Sequence, residues 1–440
     1  MPSQKDPSPI DERLPVANTL ALASQHLLAA YASLIVTPLV VAGALGWTTY
    51  ELTYLISAAL VTSGLCTILQ CVGFGGRSGE GQAFIGIRLP VVQGTTIAAI
   101  PALILIGGSS GMQAVFGATI AAGALAFVLA KRWSLMMRFF PPVVVGTVIT
   151  AIGISLLPVA VMWLGGGSTM EAHSVAPVHM LLGFFTLAIV LLAQRFGQGL
   201  WQRSSILLGL LGGTALGLLL GEVRFTALDD ASWFGFVSPF AFGPPVFEWP
   251  AVVTMTLVML VTMVESTGDY LAIGEVCDHP VSKQDIAAGI RAEGLGTMLG
   301  GVMNSFPFTT FSQNTGVLRL SGVRSRWVVA CTGVLMIALG FLPKLAAIVA
   351  IIPTSVLGGC GVVMFGSIAV TGMGILKRVD LSKTGNLLTV SVSLGMAMLV
   401  IANPLFFQAL PGAVNMVLAN SITLAGVSAV LLNLVYQHLD

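Results

Sequence analysis

The chain has 440 residues, of which 56% are hydrophobic and only 8% are charged, and its mean hydropathy is +0.95. Soluble domains carry about 25% charged residues, so this composition excludes an ordinary soluble protein and indicates a polytopic membrane protein. The net charge of +1 and the lack of a basic run argue against a nucleic-acid partner.

Apolar stretches of about 20 residues, the length that crosses a bilayer, recur along the chain and predict an all-α protein with fourteen spans. Their approximate ranges are 23–45, 50–73, 89–106, 110–130, 139–163, 176–195, 204–223, 250–275, 284–304, 306–320, 326–342, 352–376, 384–407 and 412–436. The third and tenth are too short or too interrupted to be plain helices.

The Lys and Arg residues test this topology, because cytoplasmic loops are enriched in both. With the N-terminus inside, two of the 19 fall in outer loops, namely Arg224 and Lys344. All others, including Lys5 and Arg77, fall in inner loops. We therefore predict a multi-pass protein of the inner (plasma) membrane with both termini in the cytoplasm.

A weak internal repeat relates the two halves of the chain. Pro90 and Pro307 lie 217 residues apart in the third and tenth spans, and Pro142 and Pro353 lie 211 apart in the fifth and twelfth. Seven spans per half is an odd number, so the halves would have opposite orientations. We predict a seven-plus-seven inverted repeat.

The two interrupted spans predict where a substrate binds, because paired Gly/Pro-broken spans mark the binding site in many transporters. Non-helical backbone at membrane depth is tolerated only where protein or a cavity covers it. We expect residues 89–96 and 306–314 to be short extended strands, each followed by a half-helix.

Two acidic residues of the eighth span, Glu265 and Asp269, are four positions apart and share one helix face. Ionisable side chains in lipid are costly and usually line a cavity or a proton path. Glu265 could accept two N–H bonds from a neutral heterocycle, with Asp269 near enough to exchange protons with it. Alternatively, both carboxylates could be structural and satisfied by backbone N–H groups.

Three further polar positions have two readings each. Glu293 either has a role in conformational change or proton transfer, or it forms an ion pair with Arg291 that only supports helix packing. His26 is either a hydrogen-bonded core residue or a tie between the first helix and the acidic face of the eighth. Gln93, the pseudo-symmetric partner of Gln313, satisfies backbone or contacts the ligand.

Gln313 and Asn314 end the extended part of the tenth span. The acceptor and donors of a Gln amide suit the alternating C=O and N–H edge of a dioxopurine or pyrimidine. The dipole of the following half-helix would point into the same space. The alternative is that these amides only satisfy the broken backbone.

Nothing in the sequence indicates an enzyme. We find no Ser/His/Asp arrangement, no zinc-type cluster and no phosphate-binding loop, and the five cysteines are scattered in a way typical of small buried side chains. We expect no cofactor and no metal.

The segment QNTGVLRLSG, from Gln313 to Gly322, resembles the signature of the nucleobase–ascorbate transporter family, also called nucleobase:cation symporter-2. The ESTGD beginning at Glu265, the RAEG beginning at Arg291, the NSFPFTTF before the signature and the QH ending at His26 match as well. The resemblance runs in order over essentially the whole chain.

This resemblance implies a core domain and a gate domain, with short strands in the third and tenth spans. The core would consist of residues 23–130 and 250–342, and the gate of residues 139–223 and 343–436, after a cytoplasmic tail of residues 1–22. The gate would also form a homodimer surface.

The resemblance also implies which residues bind the substrate and which couple transport to protons. Glu265 and Gln313 would hold the base, and these residues would help through their backbones: Ser312, Thr96, Ile97 and Ala98. The remaining positions would serve proton coupling and conformational change: Asp269, Glu293, Asn314 and His26. Relatives commonly have Asp where Glu293 stands, so its longer side chain alters the geometry there.

The expected function is import of an oxopurine, xanthine or uric acid or both, coupled to protons, with sodium as the open alternative. Gln at position 313 is typical of purine members, whereas uracil carriers tend to have Glu. The alternatives are a carrier of uracil or another nucleobase, or an anion exchanger of related fold, which would need a cationic or dipole-only site. A channel would need neither paired acids nor interrupted repeats.

Overall fold

The computed structural model describes residues 9–75, 83–167, 175–223, 225, 228 and 231–436. Three residues used above to predict sidedness, Lys5, Arg77 and Arg224, lie outside the described residues. Within the described residues the chain is mainly helical, with one two-stranded sheet.

The helices are α1 (Val16–Ala44), α2 (Thr49–Val72), α3 (Ile100–Leu129), α4 (Trp133–Met136), α5 (Pro142–Leu164), α6 (Pro177–Phe196), α7 (Leu200–Arg203), α8 (Ser205–Leu219), α9 (Trp249–Val276), α10 (Lys283–Val302), α11 (Ser312–Ser321), α12 (Arg326–Gly340), α13 (Pro343–Ala350), α14 (Thr354–Leu376), α15 (Thr384–Ala402), α16 (Gly412–Leu418) and α17 (Ser421–Tyr436). The strands are β1 (Gln93–Thr95) and β2 (Phe308–Thr310).

Each predicted span has regular structure at its place, although several differ in detail. The first begins at Val16 rather than residue 23. The eleventh is followed by α13, bent by 81° from α12, and the fourteenth is divided into α16 and α17. A non-helical Gly111 with φ 79° separates the third and fourth spans inside α3.

Eight helices in the described ranges are long and apolar enough to cross a membrane, or nine if α12 and α13 form one bent span. This finding agrees with a polytopic membrane protein. The number of fourteen spans stays a prediction, because several of the predicted segments are short or broken helices.

The two interrupted spans pair with each other. Strands β1 and β2 are antiparallel, with Gln93 opposite Thr310 and Thr95 opposite Phe308. Beyond the strands, the Thr96 N–H donates to the Pro307 carbonyl at 2.8 Å. The predicted strands are therefore confirmed, and their pairing satisfies polar backbone that lipid could not.

The order of elements before and after this pair agrees with the repeat. Each strand is followed by a helix start, and Pro142 and Pro353 stand at the beginning of α5 and just before α14. Proline fits a helix start because its missing N–H would have no partner there. The helices α5 and α14, which are equivalent in the two halves, pack against each other.

Among the helix crossings that have glycine on both sides, two correspond to each other in the repeat. At the crossing of α2 with α12, a Cβ added to Gly333 would lie 2.7 Å from the Gly64 carbonyl oxygen. At the crossing of α3 with α10, a Cβ added to Gly123 would lie 2.7 Å from the Gly294 carbonyl oxygen. Small residues allow helix backbones to approach this closely in membranes.

We predict that Gly333→Ala destabilises the protein, by about 1–3 kcal/mol, because the added methyl group overpacks the contact with α2. The control is Gly366→Ala in α14, where an added Cβ meets nothing within 4 Å. That variant should be neutral or stabilising by up to about 1 kcal/mol, since alanine is the better helix former. Thermal unfolding of the detergent-purified variants measures both, and equal midpoints would contradict the close crossing.

Candidate functional site

The acidic face of α9 carries Glu265 and Asp269 one turn apart, both half-buried. No described residue forms a hydrogen bond with the Glu265 carboxylate, and the buried Oδ2 of Asp269 has no partner. The structural alternative required backbone N–H groups to satisfy these carboxylates, and none does so in the described chain. Both groups remain available to a ligand or a proton.

Helix α9 is fixed to the strand pair by the residue after Glu265. The Thr310 N–H donates to Ser266 Oγ at 3.2 Å, and the Ser266 and Thr309 hydroxyls lie 3.2 Å apart. Because Ser266 is buried against β2, Glu265 is held beside the same strand.

Two helix starts flank the strand pair. Helix α11 begins at Ser312 directly after β2, and Ser312 and Gln313 are exposed although β2 itself is buried. On the other side, Thr96 Oγ1 accepts from the Ala98 N–H at 3.3 Å and caps the turn that leads into α3. Helix α9 packs against both starts.

The Gln313 side chain bridges to the first helix, since its Nε2 donates to Ser33 Oγ at 3.4 Å. The N-terminal ends of helices carry partial positive charge. The geometry therefore joins an unpaired carboxylate, an amide and two helix N-termini.

His26 and Asn314 form a second contact between α1 and α11. Asn314 Nδ2 donates to the His26 carbonyl oxygen at 3.0 Å and lies 3.1 Å from His26 Nδ1. Both side chains are almost fully buried, with exposures of 2% for His26 and 1% for Asn314. His26 thus connects α1 to α11, and in the described chain it makes no hydrogen bond to the acidic side chains of α9.

Glu293 lies on α10 behind the strand pair and is completely buried. Its Oε2 accepts from the Tyr270 hydroxyl at 3.2 Å, and that hydroxyl accepts from Gln70 Nε2 at 2.8 Å. The alternative of an ion pair between Glu293 and Arg291 is wrong, because the Arg291 guanidinium donates to the Phe84 carbonyl at 3.0 Å and lies over the Phe84 ring.

Gln93 belongs to the same buried network. Its Nε2 donates to Thr310 Oγ1 at 3.0 Å, its backbone N–H donates to Thr67 Oγ1 at 3.0 Å, and its Oε1 has no partner in the described chain. The Gln93 side chain thus holds β1 to β2. The buried Oε1 of Glu293 is also without a partner there.

Sequence reasoning missed the residues that support this site: Ser33, Gln70, Ser266 and Tyr270. A signal existed for Gln70 and Tyr270, because each is a polar side chain within an apolar span. Such residues usually face the interior and find a partner there. The spacing did not show which partner.

Both α9 and α11 carry exposed residues toward their C-terminal ends. On α9, Gly268 and Glu275 are exposed, and Arg319 is exposed on α11. A cavity of about 420 Å³ lies at the C-terminal ends of the two helices, where Arg324 and Asp278 form an ion pair. Among the described residues, no three His, Cys, Asp or Glu side chains come together to hold a metal ion.

Comparison with known proteins gives consistent results. Residues 17–406 match the model of the Permease family Xan_ur_permease. The uric acid transporter UacT of Escherichia coli (strain K12) is 40% identical over 435 residues, which cover 98% of this chain and 89% of that protein. The xanthine permease of Bacillus subtilis (strain 168) is 41% identical over 419 residues, covering 95% of this chain and 94% of that protein.

Solved structures show the fold at much lower identity. The transmembrane domain of the cyanobacterial bicarbonate transporter BicA gives a TM-score of 0.61 at 17% identity, covering 97% of this chain and all of that chain. The murine Slc26a9 anion transporter in the inward-facing state gives a TM-score of 0.60 at 12% identity, covering 97% of this chain and 70% of that chain. The helical membrane-protein fold expected from the sequence agrees with this likeness.

We predict that Tyr270→Phe destabilises the protein by about 1–3 kcal/mol, because it removes a donor from buried Glu293 and an acceptor from Gln70. Thermal unfolding with Tyr31→Phe as the matched control measures this, since the Tyr31 hydroxyl bonds no described residue. Adding Glu293→Gln to Tyr270→Phe should cost less than the sum of the two single changes. Strict additivity would contradict the contact.

Proposed function

We propose, because this chain belongs to the nucleobase–ascorbate transporter family of permeases, that it imports an oxopurine, xanthine or uric acid or both, together with protons. Relatives at about 40% identity over nearly the whole chain carry the names of uric acid and xanthine transporters. The single observation on which the site proposal rests is the half-buried Glu265 carboxylate, which no described residue bonds, on a helix that packs against the two helix starts.

The proposed binding mode follows from donors and acceptors. The Glu265 carboxylate accepts two N–H bonds from one edge of the base, and charge-assisted bonds of this kind are about twice as strong as neutral ones. The Gln313 amide supplies donors and an acceptor to the alternating C=O and N–H edge. Backbone groups of Ser312 and of Thr96, Ile97 and Ala98 complete the site at the two helix starts.

The same site argues against anion exchange. Helix N-termini alone suit an anion, but Glu265 and Asp269 place two acidic groups beside them. An inorganic anion without N–H donors would be repelled, whereas the N–H groups of a purine ring satisfy the carboxylate. The low-identity likeness to anion transporters concerns the fold and leaves this difference intact.

Proton coupling is proposed for Asp269 and Glu293, with Asn314 and His26 linking the helices that move. Asp269, Glu265 and Glu293 lie near enough to interact electrostatically. A proton taken up by Asp269 would remove one negative charge while Glu265 binds the base. Deprotonation of Asp269 would then accompany release of the base.

We further propose that the core domain, residues 23–130 and 250–342, carries the site past a gate domain, residues 139–223 and 343–436. In this arrangement both termini are cytoplasmic, and two gate domains form the homodimer contact. Support comes from the packing of α5 on α14, which joins equivalent gate helices, and from the location of every proposed binding residue in core elements.

The first test is uptake of radiolabelled xanthine by cells that lack their own purine permeases, with uric acid and uracil as competitors. Glu265→Gln should lower xanthine uptake at least tenfold, since a hydrogen bond to a charged group contributes about 1.5–3 kcal/mol. Gln313→Glu should also lower it, because the substitution removes both amide donors.

The matched control is Glu275→Gln, the same change at the exposed end of the same helix, and its uptake should equal that of the wild type. Membrane abundance of each variant is measured in parallel. If Glu265→Gln transports xanthine normally, or no base is taken up by the wild type, the proposed site is wrong.

A second test separates coupling from binding. In Asp269→Asn, which cannot exchange a proton, we expect exchange of internal for external base to persist while net accumulation is lost. Accumulation by the wild type should disappear with a protonophore and persist when sodium is replaced by choline. Concentrative uptake by Asp269→Asn would contradict its role in coupling.

A further inference from the structure

The segment just before α1 is held against the start of α12. Residues 10–13, here called the N-terminal strap, lie beside residues 325–327. The Arg326 N–H donates to the Ile10 carbonyl at 2.9 Å, and the Ser325 hydroxyl donates to the Glu12 carbonyl at 2.6 Å. The Ile10 side chain is buried in the main hydrophobic core. Terminal segments are usually poorly ordered unless they are tied down, and these contacts tie the strap to the helix assembly.

Arg326 is the centre of these contacts. Its Nε donates to Asp11 Oδ1 at 2.6 Å, and its Nη1 donates to the carbonyls of Cys71 and Val72 at 2.7 and 3.0 Å. These two carbonyls lie at the end of α2, where the last C=O groups of a helix have no intrahelical donor. A guanidinium offers several N–H donors in one fixed plane, which a Lys ammonium does not reproduce. Arg326 therefore joins the strap, α2 and α12.

Trp327 adds a third kind of contact. The guanidinium carbons of Arg13 and Arg326 lie 5.0 and 4.6 Å from the centre of its ring. Both distances are within the range of cation–π attraction. Every residue of the strap thus contacts one of residues 325–327, through its backbone or its side chain. Because an isolated surface ion pair contributes little, the strap is held by this set of contacts acting together.

The residues that the strap holds are linked to the two helices of the proposed site. Residues 322–325 connect α11 to α12. In this loop Arg324 forms an ion pair with Asp278, which follows the end of α9. Helices α9 and α11 therefore end beside one loop, and the strap anchors the last residue of that loop, Ser325. At its other end α11 begins directly after β2, which is also bonded to α9 through Ser266.

We propose that the N-terminal strap positions α9 and α11 relative to each other, with Arg326 and Asp11 as positioning residues. This inference rests on the proposed function, in which one base is held between Glu265 on α9 and Gln313 on α11. A ligand that needs both groups binds most tightly where their separation is fixed in advance, because less conformational freedom is lost on binding. Release of the strap frees residues 322–325 and, with them, the C-terminal ends of both helices.

The first experiment measures the KM and the maximal rate of xanthine uptake, with membrane abundance determined in parallel. Asp11→Ala should raise the KM about threefold or more, because it removes the acceptor of Arg326 Nε. The matched control is Glu12→Ala, which removes the same charge from the next residue. The exposed Glu12 side chain bonds no described residue, so this variant should keep the wild-type KM.

Substitutions of Arg326 and a rescue variant separate positioning from loss of folded protein. Arg326→Gln should raise the KM about tenfold or more, since the strap and the end of α2 lose their common donor. Arg326→Lys should resemble it, because Lys keeps the charge but not the planar set of donors. Asp11→Glu keeps a carboxylate and should restore the wild-type KM. Residues that only support folding would lower the abundance and the maximal rate but leave the KM unchanged.

A second measurement does not depend on transport. Cys71 and Cys277 are buried thiols at the ends of α2 and α9, whereas Cys360 is a buried thiol in α14 that contacts α8. Buried groups react when the structure around them opens locally. In the full-length protein in detergent, Arg326→Gln should speed maleimide labelling of Cys71 and Cys277 about threefold or more and leave Cys360 unchanged. Mass spectrometry resolves the three sites.

The proposal is overturned if Asp11→Ala and Arg326→Gln keep the wild-type KM, even where labelling increases, since the strap would then only fasten helix ends. Equal increases at all three cysteines would indicate general unfolding and would also contradict it. If the wild type takes up no xanthine, the proposed function fails, whereas unchanged labelling of Cys71 and Cys277 shows that the strap does not hold these helix ends. The two failures are therefore distinguishable.

Discussion

The pairing of β1 with β2 is the constraint on which the rest of the structure depends. Backbone groups at membrane depth must find partners within the protein. Each interrupted span satisfies the other over three residues, Gln93–Thr95 and Phe308–Thr310, whose partners lie more than 200 positions away in sequence. Only because these strands are satisfied can α3 and α11 begin in the middle of the molecule and direct their N-terminal N–H groups into one space.

Helix α9 connects this strand pair to the chemistry because it has two polar faces. Ser266 and Tyr270 face backward, toward β2 and Glu293, while Glu265 and Asp269 lie on the accessible side. Any rotation or shift of α9 changes both sets of contacts together. The buried network therefore links Glu265, whose carboxylate is proposed to bind the substrate, to Glu293 without a direct contact between the two side chains.

The sequence predicted the parts of this arrangement that depend on local properties. Apolar length gave the helices, Pro90 and Pro307 indicated the interruptions, and four-residue spacing placed Glu265 and Asp269 on one face. Partner choice was not predictable. The register of β1 on β2 and the contact of Tyr270 with Glu293 depend on which helix faces meet. Arg291 lies only two positions before Glu293 in the sequence, yet its side chain donates to the Phe84 carbonyl and not to the Glu293 carboxylate.

The fold does not by itself decide what is carried. The transmembrane domain of a bicarbonate transporter and an anion transporter share this fold at 17% identity or less, so the fold alone does not determine the substrate. Helix dipoles alone present partial positive charge, which suits an anion. In the proposed binding mode, Glu265 changes this requirement, because an unpaired carboxylate is best satisfied by N–H donors of the ligand. Under this proposal, the substrate selectivity of this chain depends on the acidic face of α9.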